Sequence, residues 1–210
     1  MNGKGVSEGP DRRQLLAQIL PAGAFACLFC RHAFAVTADQ AAGATEPAKP
    51  KSQESCGMSY DELFEFAYGS SMIPVMKAMA ADVGREKFLE MLKKASCTAA
   101  VQHAREELKK NPKNDFATFA AEVRKSNPLY DHTLTSRIVE DTPTTIEMRI
   151  TECLWAKTFR DADAADIGYV SMCYPDLASA PIYNPKIKLT LTKTLMQGND
   201  CCNHRWVLET

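Results

Sequence analysis

Between Ile187 and Trp206 the chain spells out two strands and a turn, and loads one strand with reactive side chains. Ile187, Leu189 and Leu191 alternate with Lys188, Thr190 and Thr192. A period of two marks a strand with one buried face. Gly198-Asn199-Asp200 follows. Gly and Asn tolerate positive φ, so the chain is expected to turn there. A second strand is expected from about Cys201 to Leu208. Alternation would put Asp200, Cys202, His204 and Trp206 on one face, and Cys201, Asn203 and Arg205 on the other. A thiol and an imidazole two apart on one face can meet one ligand, one metal ion or each other.

The 210 residues carry a formal net charge of −1. Near-neutral charge argues against a general nucleic-acid binder, which would show a basic stripe. The run Lys109-Lys110-Asn111-Pro112-Lys113 is short and reads as a solvated helix end. No Walker loop and no GxGxxG element is present.

The first fifty residues do not read as part of the fold. Arg12-Arg13 precede an apolar run from Leu15 to Cys30, broken by Pro21 and Gly23. The run is too short and interrupted for a membrane span but fits the apolar region of a signal peptide. Ala33-Phe34-Ala35 has the form of a cleavage site, and cleavage there would leave Val36 first. The paired arginines resemble a twin-arginine signal, with Asp11 where a Ser or Thr is usual. The expectation is an exported, periplasmic protein with no stable membrane span in the mature chain. Its domains would be a signal peptide over 1–35, a linker over 36–55 and a folded domain over 56–210. Cys27-x-x-Cys30 lies inside the signal segment and reads as incidental.

Ser59-x-x-Glu62 is a capping box ahead of Leu63, Phe64 and Phe66. Gly69-Ser70-Ser71 and Pro74 are expected to interrupt that helix. A second helix should stop at Gly84. A third should run from Arg85 to Lys110 with Phe88, Met91, Leu92, Ala95 and Ala99 near helical spacing, and end at Asn111-Pro112. Asp115 should cap a fourth, carrying Phe116, Phe119 and Val123. The Phe and Met residues read as core packing. The period then changes. Leu134–Val139 and Thr144–Glu152 read as strands around Asp141-Thr142-Pro143, with Ile146, Met148 and Ile150 on one face and Glu152 continuing it. Cys153 should begin a helix with Leu154, Trp155 and Phe159. Asp161 or Asp163 should cap another, running to Cys173, and Cys173-Tyr174-Pro175-Asp176 should break it. Without βαβ alternation the sheet should be antiparallel. The fold class is α+β: a helical N-terminal subdomain packed on an antiparallel sheet with crossing helices.

The pattern Lys193-Thr194-Leu195 … Gly198-x-Asp200-x-Cys202-Asn203-His204-Arg205 resembles the C-terminal signature of the L-2-amino-thiazoline-4-carboxylic acid hydrolase family. Glu152-Cys153 and Cys173-x-x-Asp176 are similar to that family's upstream spacing. The resemblance covers roughly Ser136 to Leu208. It implies a hydrolase that opens a small cyclic C–N bond, in a 2-aminothiazoline-type ring or a related cyclic amidine or lactam.

Three readings of Cys202 stay open. It is a nucleophile with a depressed pKa, His204 being the general base and Asp176 or Asp200 its orienter. Or Cys153, Cys173, Cys202 and His204 ligate a transition metal such as zinc or copper. Or Cys202 is a small buried hydrophobe. Glu152, a carboxylate ending an apolar strand face, is a candidate acid or base, with a salt bridge to Arg149 or Lys193 as the alternative. Lys193 could hold a substrate carboxylate, with Cys173 and Asp200 also in the substrate-binding set. The partner in each case is a small molecule. The competing class is a non-catalytic small-ligand or metal-binding protein of the cell envelope.

Overall fold

Ser59 starts the first helix as its spacing predicts. Its Oγ accepts from Glu62 N–H at 3.2 Å, and Ser59 N–H donates to Glu62 Oε2 at 2.7 Å. The computed structural model describes residues 57–209. The expected signal segment, the linker and Cys56 lie outside the described residues. α1 is Tyr60–Phe64, and it does not break at Gly69-Ser70-Ser71. The chain passes through Glu65–Met72 as a π-helix and continues into α2, Ile73–Val83, with Pro74 in its first turn. The wider turn absorbs residues that would otherwise end the helix, because Pro lacks the N–H that a continuous α ladder needs.

α3 spans Arg85–Lys110, but the face it buries is not the expected one. Phe88 is buried, whereas Met91 is 54% exposed, and Ala95 and Ala99 are also exposed. The inward row is Phe88, Leu89, Leu92 and Ser96, whose hydroxyl donates to Val170 O at 2.7 Å. α4, Phe116–Val123, is capped by Asp115, which accepts from Thr118 N–H at 2.8 Å. A short α5, Pro128–Thr133, follows, capped by Asn127.

β1 (Leu134–Asp141), β2 (Thr145–Cys153), β3 (Ile187–Leu191) and β4 (Cys202–Leu208) form one antiparallel sheet in the order β1-β2-β4-β3. Ile146, Met148 and Ile150 on β2 stand opposite Trp206, His204 and Cys202 on β4. This face is covered; the other carries Arg137, Glu147, Arg149, Asn203 and Arg205. A β-bulge disturbs the pleat near the end of β2. Thr135 pairs with Glu152 and Ser136 with Ile150, so Thr151 is one residue too many. The extra residue reverses the alternation, so the expected place of Glu152 on the core face is wrong. Glu152 is exposed, its Oε2 accepting from Thr135 Oγ1 at 2.7 Å, and Cys153 turns toward the core instead.

After β2 come α6, Leu154–Asp161, and α7, Ala165–Gly168. Neither Asp161 nor Asp163 caps α7: the N-cap is Ala164, and Asp163 sits at φ 51°. A π-helical stretch, Tyr169–Cys173, runs through Tyr174 into α8, Pro175–Tyr183. The expected break at Cys173-Tyr174-Pro175-Asp176 is therefore helix. Pro175 at the first turn needs no N–H partner.

Two apolar clusters hold these layers. Ile73, Phe88, Phe159, Ile167 and Met196 join the helices to the turn after β3. Phe116, Ala120, Ile146, Ala180, Ile187 and Trp206 join α4 and α8 to the sheet. No helix among the described residues is long and apolar enough to cross a membrane.

Candidate active site

β4 delivers Cys202, His204 and Trp206 to the covered face in strict alternation; all three are buried. The imidazole stacks on Trp206, ring centroids 5.6 Å apart and planes 27° from parallel. Its Nε2 lies 3.3 Å from Oδ2 of Asp176. Asp176 occupies the first turn of α8, so the helix, not a loop, presents its carboxylate. The Asp176 side chain is 49% exposed and that of His204 only 10%. The imidazole is thus an interior group whose one polar contact reaches solvent. Nδ1 of His204 is buried and has no hydrogen-bond partner among the described residues.

Cys202 sits under the segment that joins the hairpin strands. Thr194 caps a 3-10 turn, Leu195–Gln197, which Gly198 closes in the left-handed region at φ 86°. This turn brings the Leu195 N–H to Cys202 Sγ at 3.2 Å. Cys153 caps α6, its Sγ accepting from Ala156 N–H at 3.4 Å. Cys153 and Leu195 help line a depression of about 400 Å³, together with Thr151, Glu152, Lys157 and Arg160; Cys202 does not line it. Glu152 thus lines this depression rather than the His204 side of the sheet.

Cys97, Cys153, Cys173, Cys201 and Cys202 are free thiols. Burial pushes the Cys202 thiol up to about 11; Cys153, Cys201 and Asp176 add to the effect, and the Leu195 N–H opposes it. The expected depression of its pKa is therefore corrected: a thiolate there would lose more hydration than one N–H restores. Burial drives Cys173 further up, reinforced by Cys202, Cys153 and Asp176. Cys153 is also raised by burial, against N–H bonds from Ala156 and Trp155.

A pH dependence of stability follows. These thiols bind their protons more tightly folded than unfolded. The stability they hold is present below the unfolded thiol pKa, about 8.5, and is lost as pH rises toward the folded values. Urea midpoints should be flat near neutral pH and fall between about pH 9 and 11, and Cys202→Ala should fall less steeply than the parent. Parallel profiles for the two proteins would refute a thiol contribution.

Other expected site residues fall elsewhere. Lys193 and Asp200 pair with each other at 3.0 Å on the surface. Asp200 lies before β4 begins, so strand alternation does not extend to it, and it does not join Cys202. Among the described residues no group of three or more His, Cys, Asp or Glu side chains is arranged to hold a metal ion. Sequence reasoning also missed the Leu195 N–H, a backbone group with no side-chain signature.

The fold and site define a small α+β domain with a His–Asp pair beside buried thiols. The sequence profile described as L-2-amino-thiazoline-4-carboxylic acid hydrolase matches residues 64–206. The chain belongs to that family, whose name is that of a hydrolase. No curated protein matches the chain. Among solved structures it is similar to the phenol-responsive sensory domain of the transcription activator PoxR with phenol. That likeness has a TM-score of 0.44 and 12% identity, over 64% of this chain and 71% of the other. It is also similar to a trafficking protein particle complex subunit 3 from Naegleria fowleri covalently bound to palmitic acid. There the TM-score is 0.42 and the identity 14%, over 71% of this chain and 95% of the other. Neither likeness bears on what this chain binds.

Proposed function

We propose that this protein opens a C–N bond in a small cyclic substrate, a 2-aminothiazoline-carboxylate-like ring or a related cyclic amidine or lactam, with His204 as general base. One observation carries the reading: Nδ1 of His204 is buried and has no partner among the described residues, while Nε2 faces Asp176. A carboxylate accepts, so Nε2 keeps the proton and Nδ1 keeps a lone pair. A buried acceptor without a partner is costly unless a ligand or reacting group supplies the missing donor.

Cys202 stands two residues from His204 on the same pleated face, roughly 7 Å away at Cα. Its thiol is protonated at rest, so it acts as a nucleophile only as its proton leaves. His204 takes the thiol proton as sulfur bonds to the ring carbon. The ring C–N bond then breaks and the imidazolium returns the proton to the leaving nitrogen. Water, deprotonated by His204, displaces the sulfur and restores the thiol. Asp176 holds the imidazole in one tautomer and stabilises its charged form.

The test is incubation of the purified chain with 2-aminothiazoline-4-carboxylate, followed by mass spectrometry for a product heavier by one water. Cys202→Ser should abolish turnover with the fold intact. Cys201→Ser, altered on the opposite face, should cost little. Full activity in Cys202→Ser would remove the covalent step and leave water as the nucleophile. Binding without turnover of this ring, a cyclic amidine and a lactam would replace the enzyme by a carrier.

A further inference from the structure

The uncovered face of the sheet carries two arginines set directly against each other. Arg137 on β1 is the register partner of Arg149 on β2, and Arg149 is the partner of Asn203 on β4. Like charges directly opposite on a sheet face are destabilising. Their neighbours do not resolve the conflict. Glu147 lies 3.4 Å from Arg149 Nη2 but is shared with Arg205 at 3.8 Å. Asp200 is taken by Lys193. Arg205 is otherwise engaged with Glu140. Arg137 makes no ion pair or hydrogen bond among the described residues, and the buried Nε of Arg149 has no partner there either. Counting Arg137, Arg149, Lys193 and Arg205 against Glu140, Glu147 and Asp200 leaves one positive charge over. Arg137, Arg149 and Lys193, with Glu147, Asp200 and Asn203, help line a depression of about 370 Å³.

We infer that this depression is a binding site for a small oxyanion, phosphate or carboxylate, held between the guanidinium groups of Arg137 and Arg149. An oxyanion there cancels the like-charge contact, supplies acceptors to both planar forks and neutralises the surplus charge. Arg149 and Met148 are adjacent on β2 and therefore face opposite sides of the sheet, Met148 toward His204. The site is thus separate from the His204–Asp176 pair, and the inference does not rest on the catalytic reading.

The test is titration of the full chain with inorganic phosphate and, separately, with acetate, by calorimetry and thermal melting at constant ionic strength set with chloride. Saturable binding of at least one of the two is expected, with a rise in melting temperature. Arg137→Gln, a change at an exposed position, should weaken that binding by about tenfold or more. Without anion it should melt at or above the parent temperature, because a repulsive contact is gone. Lys188→Gln, on the same sheet but outside the depression, should bind like the parent. The tighter of the two anions identifies the source, phosphate ester or carboxylate. Equal affinity in the parent and Arg137→Gln, or no saturable binding of either anion, would overturn the site.

Discussion

His204→Gln is expected to lower kcat for ring opening by about 100- to 10,000-fold, the range usual for a lost general base. KM should change little. Gln can still donate to Asp176, but it offers no lone pair of comparable basicity at the Nδ1 position. The buried volume is nearly conserved, so the fold should stand. Asp176→Asn should act in the same direction but less strongly, because it misorients the imidazole without removing it. Steady-state assays of the parent and both variants give the comparison. A His204→Gln enzyme within about threefold of the parent would eliminate the general-base role.

The largest effect on stability is expected at Phe159. Its side chain is wholly buried. It packs in the cluster that joins α2, α3, α6 and α7 to Met196 of the 3-10 turn. Gly168 lies so near that an added Cβ would come within 2.7 Å of Phe159 Cγ and 2.6 Å of Met196 Sδ. A site so tightly enclosed relaxes poorly, so Phe159→Ala should cost about 3–5 kcal/mol. That is a large part of the ~5–15 kcal/mol that holds a domain of this size together. Urea denaturation measures it, and a cost under about 1 kcal/mol would mean that the helices close over the vacancy. The cavity would also loosen the turn carrying Leu195, so Cys202 should be alkylated faster in Phe159→Ala than in the parent. The expected rate in the parent is low. A thiol pushed up to about 11, against about 8.5 for a free thiol, has roughly 300-fold less thiolate at neutral pH.

Much of the architecture is written locally. The capping box at Ser59 and the Asp115 cap need only side chains within four residues of the backbone they serve. Gly84 and Asn111 bound α3 for reasons of backbone freedom and of the proline that follows. The hairpin of β3 and β4 is legible because a period of two next to turn residues allows few other structures. It correctly places Cys202 and His204 on one covered face.

What lay beyond the sequence has a common cause. Alternation predicts a face only while the pleat is unbroken. The bulge at Thr151 exchanged Glu152 and Cys153 between the two sides of the sheet, and no residue there announces an insertion in the register. Asp200 lies before the strand begins, so alternation gives it no face. Prolines 74 and 175 read as breaks, yet both fall at the first turn of a helix whose preceding π segment carries the chain through. That continuity sets Asp176 on α8, opposite His204. By itself the sequence determined the fold class, the helix caps at Ser59 and Asp115, and the pairing of Cys202 with His204 on one strand face. Only the tertiary structure decided that Asp176 meets His204, that burial pushes the Cys202 thiol's pKa up, and that Arg137 faces Arg149. Each of those depends on which distant segments exclude water from a group or supply its hydrogen-bond partner, and local spacing carries no record of that.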